Sequence, residues 1–347
     1  MTTKYKLYNA VIEITNRCNL RCPHCASTSG TQRENELDFD KIKKILHEIK
    51  YLGGREITLI GGEIFLRSDW YKICQVVNEL EMRLVLVSNG ILINKKIRQQ
   101  LKTLQPYLIG ISLDGSTAQS YLEHRGVDKF EQVLQLLYQL KEDGHKEVNA
   151  ITTFMRSNLS EFEQFIELFN KQPITWQVQI ANLGGNRFKT NNFFTQQDYK
   201  IFCDKMKKAF RDCHELKLKP MCDYGYYPLE PELYWLHKSW HGCLAGTHLI
   251  GIQSDGKVRG CLSLDPHFNT ANLQKQSLTE IWTSNKFFYN FRNKINYLED
   301  NCKNCSQNKK CKAGCTSIAF SVTGKIGSNP YCIRSMESEK LINKFAD

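Results

Sequence analysis

The order of its segments predicts an α/β protein built on a parallel sheet. Three observations carry that reading. Short apolar runs of strand length alternate with stretches of helical periodicity through the first half of the chain. The alternation stops near Leu183, where the composition turns polar. Fourteen cysteines among 347 residues gather mainly at two places, one near each end. Strands that alternate with helices return in the same direction and so pair in parallel.

The elements follow in order. The apolar run 10–14 reads as the first strand. Residues 38–52 carry Phe39, Ile42, Ile45, Leu46 and Ile49 at helical spacing. Residues 56–60 form a buried-strand run, and 68–80 a helix. Strands are then expected at 83–87, 108–113, 147–154 and 175–180, and helices at 95–104, 130–143 and 159–170. Six strand–helix units are too few for a full eightfold barrel. In such folds ligands sit at the carboxyl ends of the strands. From Leu183 the stretch Gly184-Gly-Asn reads as a linker. Residues 195–214 predict a helix, with Thr195 as its cap and Asp198 three residues on. Residues 224–234, rich in Pro and Tyr, read as a loop. Residues 278–292 predict a helix bearing Trp282, Phe287, Phe288 and Phe291 as packing residues.

Composition narrows the class. Apolar residues make up 41% of the chain, enough for a packed core. No apolar run approaches the roughly 18 residues of a membrane span, and no stretch reads as a signal peptide. A cytoplasmic protein is expected, with no membrane partner. In a reducing compartment so many cysteines point to metal ligation rather than disulfides. The formal net charge is +11. The lysines are dispersed as on a solvated face, no RNA-binding signature accompanies them, and nucleic acid is not an expected partner.

Cys18, Cys22 and Cys25 follow the first strand with the spacing CxxxCxxC. Soft thiolates suit an iron–sulfur cluster, zinc or Cu(I). A 4Fe–4S cluster usually takes four cysteines, so three leave one iron open. Strand, CNLRC and a nearby third cysteine resemble the radical SAM enzymes, whose cluster binds S-adenosylmethionine through that iron. The family usually has an aromatic residue before the third cysteine; here it is His24. The resemblance implies an open six-unit barrel, a partial (β/α)6 fold.

Further motifs fall at strand ends. Gly61-Gly62-Glu63 follows the second strand. Glycines allow close backbone approach and a carboxylate can accept bonds from an ammonium. In the family this motif holds the amino group of S-adenosylmethionine; the usual next residue is proline, and here it is Ile64. Ser88-Asn89-Gly90 and Ser112-Leu-Asp114-Gly115 end the third and fourth strands. Their side chains suit ribose hydroxyls and the methionyl carboxylate, and equally suit turns. Arg125-Gly126 matches a family arginine that reaches that carboxylate.

The C-terminal cysteines are Cys243, Cys261, Cys302, Cys305, Cys311, Cys315 and Cys332, with Gly256 in a hairpin-like Gln253–Lys257. Their ordered spacing resembles the SPASM domain of peptide-modifying radical SAM enzymes, a small α+β unit. The resemblance divides the chain into a barrel (1–185), a bridging helical region (186–242) and a SPASM domain (243–347). It implies that Cys302, Cys305, Cys311 and Cys332 ligate one auxiliary 4Fe–4S cluster, and Cys243, Cys261 and Cys315 another. The fourth position of the latter is open, or filled by Cys222, His237 or a substrate atom. Cys74, Cys203 and Cys213 lie on predicted helices. Among the thiols outside the clusters, Cys222 and Cys213 are the candidates for a catalytic hydrogen donor. Zinc is the alternative for the whole array.

The resemblance implies a peptide maturase. Three 4Fe–4S clusters and S-adenosylmethionine would supply a 5′-deoxyadenosyl radical that abstracts hydrogen from a ribosomal precursor peptide. Backbone splicing with tyramine excision is the subclass favoured, with thioether or carbon–carbon crosslinking and epimerisation as competitors. A sulfatase-maturase-like oxidase, a small-molecule radical enzyme, and a non-enzymatic zinc or electron-transfer protein are the rivals. Because the cluster loop starts so early, no N-terminal recognition domain is expected before it. A separate small leader-binding protein is therefore expected, with an external electron donor such as flavodoxin or ferredoxin.

Overall fold

The computed structural model describes residues 5–182, 187–237 and 240–346, with side chains up to residue 339. The linker expected at Gly184-Gly-Asn, and with it the 185/186 boundary, lies outside the described residues.

Seven parallel strands form the body of one sheet: β1 (Asn9–Glu13), β2 (Glu56–Ile60), β3 (Arg83–Ser88), β4 (Leu108–Ser112), β5 (Val148–Phe154), β6 (Thr175–Ile180) and β7 (Leu218–Pro220). Beyond β1 the sheet continues with β8 (Leu249–Ile252), parallel to it, then β9 (Lys257–Arg259), antiparallel to β8, and β10 (Ala271–Asn272), antiparallel to β9. The order is β10-β9-β8-β1-β2-β3-β4-β5-β6-β7. The predicted hairpin around Gly256 thus extends the barrel sheet itself. The bridging region does likewise at the other edge, since β7 pairs with β6.

Helices α1 (Phe39–Tyr51), α2 (Trp70–Glu79), α3 (Lys95–Leu104), α4 (Ala118–Arg125), α5 (Phe130–Glu142), α6 (Phe162–Phe169) and α7 (Gln196–Asp212) connect the strands. Asp38 caps α1 by accepting the Lys41 amide at 2.8 Å, and Ile42, Ile45, Leu46 and Ile49 are its buried stripe. Asn94 caps α3 in the same way. Thr195 and Asp198 form a reciprocal capping box on α7, as the sequence predicts. Behind β5 and β6, Phe154, Phe162, Phe165, Trp176 and Phe202 pack as a ring cluster.

Three expectations change. Helix α4 is absent from the sequence reading. The helix expected at 159–170 opens as a 3-10 turn, Arg156–Glu161, and becomes α-helical from Phe162. The helix expected at 278–292 breaks into Leu278–Thr283 and Tyr289–Arg292. Phe288 takes a left-handed φ of 59° at the break. The Arg292 guanidinium then donates to the carbonyls of Trp282 and Ser284, which a continuous helix would keep for itself, and to that of Gly246. Among the described residues, no helix is long and apolar enough to cross a membrane.

Candidate active site and cysteine sets

The cysteine loop runs from the end of β1. Glu36 ties it at the start by accepting the Asn16 amide at 2.7 Å. The Gly30 amide donates to Asn16 O at 2.8 Å and the Cys18 amide to Gly30 O at 3.1 Å, closing the loop on itself. The Leu20 amide points at Cys18 Sγ and the Ser29 amide at Cys25 Sγ, each at 3.4 Å. Cys22 Sγ lies 3.9 Å from the Arg125 carbonyl oxygen. Burial pushes up the thiols of Cys18 and Cys22, and thiolates at the neighbouring loop cysteines add to it. Sulfurs that receive amide N–H groups and cannot easily ionise alone suit a metal centre that supplies the compensating charge.

Gly61 and Gly62 pack the end of β2 against this loop. A Cβ on Gly62 would fall 2.2 Å from Arg17 O, and one on Gly61 2.7 Å from Thr15 O. The backbones are this close because the Gly62 amide donates to Thr15 O and the Glu63 amide to Arg17 O. The close approach that these glycines allow is therefore to the cysteine loop. Glu63 is buried and its carboxylate accepts from Ser88 Oγ at 2.9 Å, the Asn89 amide at 2.9 Å and the Phe65 amide at 3.3 Å. Burial raises its pKa and the donated hydrogen bonds oppose that rise. Asn89 in turn donates from its side chain to Asn19 Oδ1 at 2.9 Å. Ser88, Asn89 and Glu63 form one network at the carboxyl ends of β2 and β3.

Asp114, just past β4, is buried at a junction. Its Oδ2 meets His24 Nε2 at 3.0 Å and accepts Arg125 Nη1 at 2.9 Å, while its Oδ1 accepts the Thr153 amide at 2.7 Å. Burial would raise its pKa, but His24 and Arg125 hold it well below the usual carboxylate range. The cysteine loop, β4, β5 and α4 are thereby clamped together. Asp114 is spent inside the protein, while Arg125 is oriented by it and keeps a buried Nε without a protein partner. Ser112 stands half-buried at the end of β4. The place of His24 in this clamp had no signal in the sequence beyond its departure from an aromatic residue.

At the C-terminal end the thiols fall into two sets. Cys302, Cys305, Cys311 and Cys332 lie within electrostatic reach of one another. Burial pushes Cys311 up to about 12 and Cys332 to about 11. Cys243, Cys261 and Cys315 form the second set, and Cys222 stands with them: thiolates at Cys243 and Cys261 both act on it. His237 donates from Nε2 to Tyr224 O at 2.7 Å, and its ring stacks on Tyr226. Lys294 is buried between the sets, its Nζ donating to Gly314 O at 3.1 Å. Its neighbours include Cys243, Cys315, Cys311 and Cys302. Neither Lys294 nor Tyr226 is marked by any pattern in the sequence. Cys74 and Cys203 are buried in α2 and α7, and Cys213 caps α7. Among the described residues no three His, Cys, Asp or Glu side chains close around a single ion.

Residues 12–169 match the radical SAM superfamily, and residues 243–306 match the iron–sulfur cluster-binding domain named SPASM. The chain is a radical SAM enzyme with a SPASM domain. It is 27% identical to the AdoMet-dependent heme synthase of Oleidesulfovibrio alaskensis over 92% of this chain and 85% of that protein. It is 23% identical to the mycofactocin maturase MftC of Mycobacterium tuberculosis over 95% of this chain and 83% of that one. The fold resembles that of Streptococcus suis SuiB bound to its precursor peptide SuiA, with a TM-score of 0.76 at 17% identity, covering 96% of this chain and 76% of SuiB. It also resembles anSMEcpe with bound AdoMet, with a TM-score of 0.72 at 20% identity, covering 97% and 98% of the two chains. As a radical SAM enzyme it binds S-adenosylmethionine at an iron–sulfur cluster, and its SPASM domain binds auxiliary iron–sulfur chemistry.

Proposed function

We propose that this radical SAM enzyme is a peptide maturase acting on a ribosomal precursor peptide. The observation that carries the reading is that the chain, with its three-cysteine loop and two further thiol sets, resembles over 96% of its length the fold of SuiB, crystallised with its precursor peptide. Cys18, Cys22 and Cys25 would hold the radical cluster, Cys302, Cys305, Cys311 and Cys332 one auxiliary cluster, and the Cys243 set the other. When bound, the cluster and S-adenosylmethionine supply a 5′-deoxyadenosyl radical that takes a hydrogen atom from the substrate.

The residues around that site have positioning work. Glu63, held acceptor-ready by Ser88 and Asn89, is set to receive the ammonium of S-adenosylmethionine. Arg125, aimed by Asp114, has unspent N–H capacity for its carboxylate. Ser112 at the end of β4 is the candidate for a hydroxyl contact. The bond made in the peptide is the open choice: splicing, crosslinking and epimerisation share this machinery up to the substrate radical.

A second reading has its own support, because the heme synthases are more alike in sequence than the maturases are. It assigns a tetrapyrrole substrate. One experiment separates the two. The anaerobically reconstituted protein is given reductant, S-adenosylmethionine and either any small peptide found to be encoded beside its gene or an iron coproporphyrin. A mass change in the peptide with 5′-deoxyadenosine release supports the maturase. A mass change in the porphyrin with an unaltered peptide overturns it. A leader titration with and without any small neighbouring protein, at two salt concentrations, tests the expected partner: binding that needs the partner and weakens with salt is the expected result.

A further inference from the structure

The Cys243, Cys261 and Cys315 set has three thiols from the SPASM region, and a 4Fe–4S cluster takes four. The backbone around Cys222 is fixed on both sides. The Met221 amide donates to Val178 O at 3.0 Å, and the Asp223 carboxylate accepts the Ile180 amide at 2.9 Å. Both partners belong to β6, so Cys222 is held at the end of β7. From there a tyrosine reaches across. Tyr226 Oη donates to Cys222 O at 2.8 Å and accepts the Cys315 amide at 3.0 Å. Cys222 and Cys315 are therefore two hydrogen bonds apart through one hydroxyl. Tyr226 is itself locked, because a Cβ on Gly314 would meet its ring at 2.2 Å and Trp240 packs on it with ring centroids 4.6 Å apart. Thiolates at Cys243 and Cys261 act on Cys222, which agrees with this placement. Cys222 is exposed at the surface, so its thiol is open to a cluster.

We infer that Cys222 is the fourth ligand of the auxiliary cluster held by Cys243, Cys261 and Cys315. This rests on the reading of that set as a cluster site. It has two consequences. The cluster has no iron left open to bind substrate, and it carries electrons or holds structure. It also ties the β7 edge of the sheet to the β8–β9 hairpin on the far side of β1, since Cys222 follows β7 while Cys243 and Cys261 flank that hairpin. Cys222 is then a ligand and not a hydrogen donor. His237, whose Nε2 faces Tyr224 O, is the competing ligand.

The test compares the full chain with Cys222→Ala, Cys222→Ser and His237→Ala, each reconstituted anaerobically. Iron and sulfide are counted, and EPR and Mössbauer spectra are taken. The unaltered protein should hold about twelve irons, four per cluster. Cys222→Ala should lose about four irons or convert that cluster to a three-iron species. Cys222→Ser should keep the iron with an altered spectrum, and His237→Ala should match the unaltered protein. The signals of the other two clusters report whether each variant is folded. Iron and spectra unchanged in Cys222→Ala overturn the assignment of Cys222 alone, as does loss in His237→Ala instead. If the unaltered protein holds only about eight irons because the Cys243 set stays empty, the cluster reading fails and this assignment goes with it.

Discussion

At the residue scale the site depends on buried charges that satisfy one another. Asp114 serves His24, Arg125 and the Thr153 amide at once. Removing one partner of a buried ion pair leaves the other uncompensated, at a cost of about 3 kcal/mol or more. Asp114→Asn should therefore destabilise the protein by about that amount and lower iron in the cysteine loop while the C-terminal iron stays. The pH dependence has a fixed sign. The folded pKa of Asp114 is lowered, and the unfolded value is ~3.9. Its contribution is thus fully present above about pH 4 and is lost as pH falls towards the folded pKa. Denaturation from pH 7 to 3 should show a constant gap between the two proteins that narrows only at the acid end. Glu63→Gln tests the ammonium role. Loss of a charge-assisted hydrogen bond worth ~1.5–3 kcal/mol predicts at least tenfold weaker S-adenosylmethionine binding by calorimetry, with iron content unchanged. The three-cysteine loop stood out by its spacing, and the division of the C-terminal cysteines into two sets was expected from the family resemblance. His24 and Lys294 were not legible, since their roles come from what the fold packs against them, and spacing along the chain carries no trace of that.

At the element scale, what the sequence conveyed was whatever periodicity and capping chemistry encode. Strands β1–β6 and helices α1, α3 and α5 fall within a residue or two of where apolar spacing puts them, because each buries one face on a common core. Helix α4 has no apolar stripe. It buries Tyr121, His124 and Arg125, so its inward face reads as polar, and only its Thr117–Ser120 capping box and the terminal Gly126 mark it. The break after Thr283 was equally hidden, because the carbonyls of Trp282 and Ser284 are taken by the Arg292 side chain, a pairing that apolar spacing does not encode. The Gly61-Gly62 turn shows how an element end conditions the site. With Arg17 O at 2.2 Å from a new Cβ, Gly62→Ala has to push the cysteine loop away from β2. The expected result is loss of about four irons, those of the radical cluster, and of reductive S-adenosylmethionine cleavage, with the auxiliary EPR signals retained. Normal cleavage in Gly62→Ala would contradict the role of this contact.

At the scale of the whole molecule, the chain reads as two units but is built as one sheet. Local pattern predicted the hairpin around Gly256 and could not say which strand it would join, because pairing across more than 230 residues of sequence is set by β1's free edge. The same long-range assembly brings both C-terminal thiol sets around Lys294, a cation that local sequence presents as one more surface lysine. Burial lowers the pKa of Lys294, while thiolates of both sets favour its charged form. The two influences predict opposite effects of Lys294→Met in the two states of the protein. Without iron, removing a desolvated ammonium from the interior should leave stability unchanged or raise it. With iron–sulfur clusters bound, the same change removes the positive charge that favours their reduced forms. Both auxiliary midpoint potentials should then fall relative to the unaltered protein, since net charge and hydrogen bonding near the sulfurs set cluster potentials. An EPR-monitored redox titration of the loaded protein, paired with thermal unfolding of the iron-free protein, reads both effects. Potentials that stay in place would mean that Lys294 serves the fold through Gly314 O alone, and a shift in just one of the two would place it against that cluster and not between them.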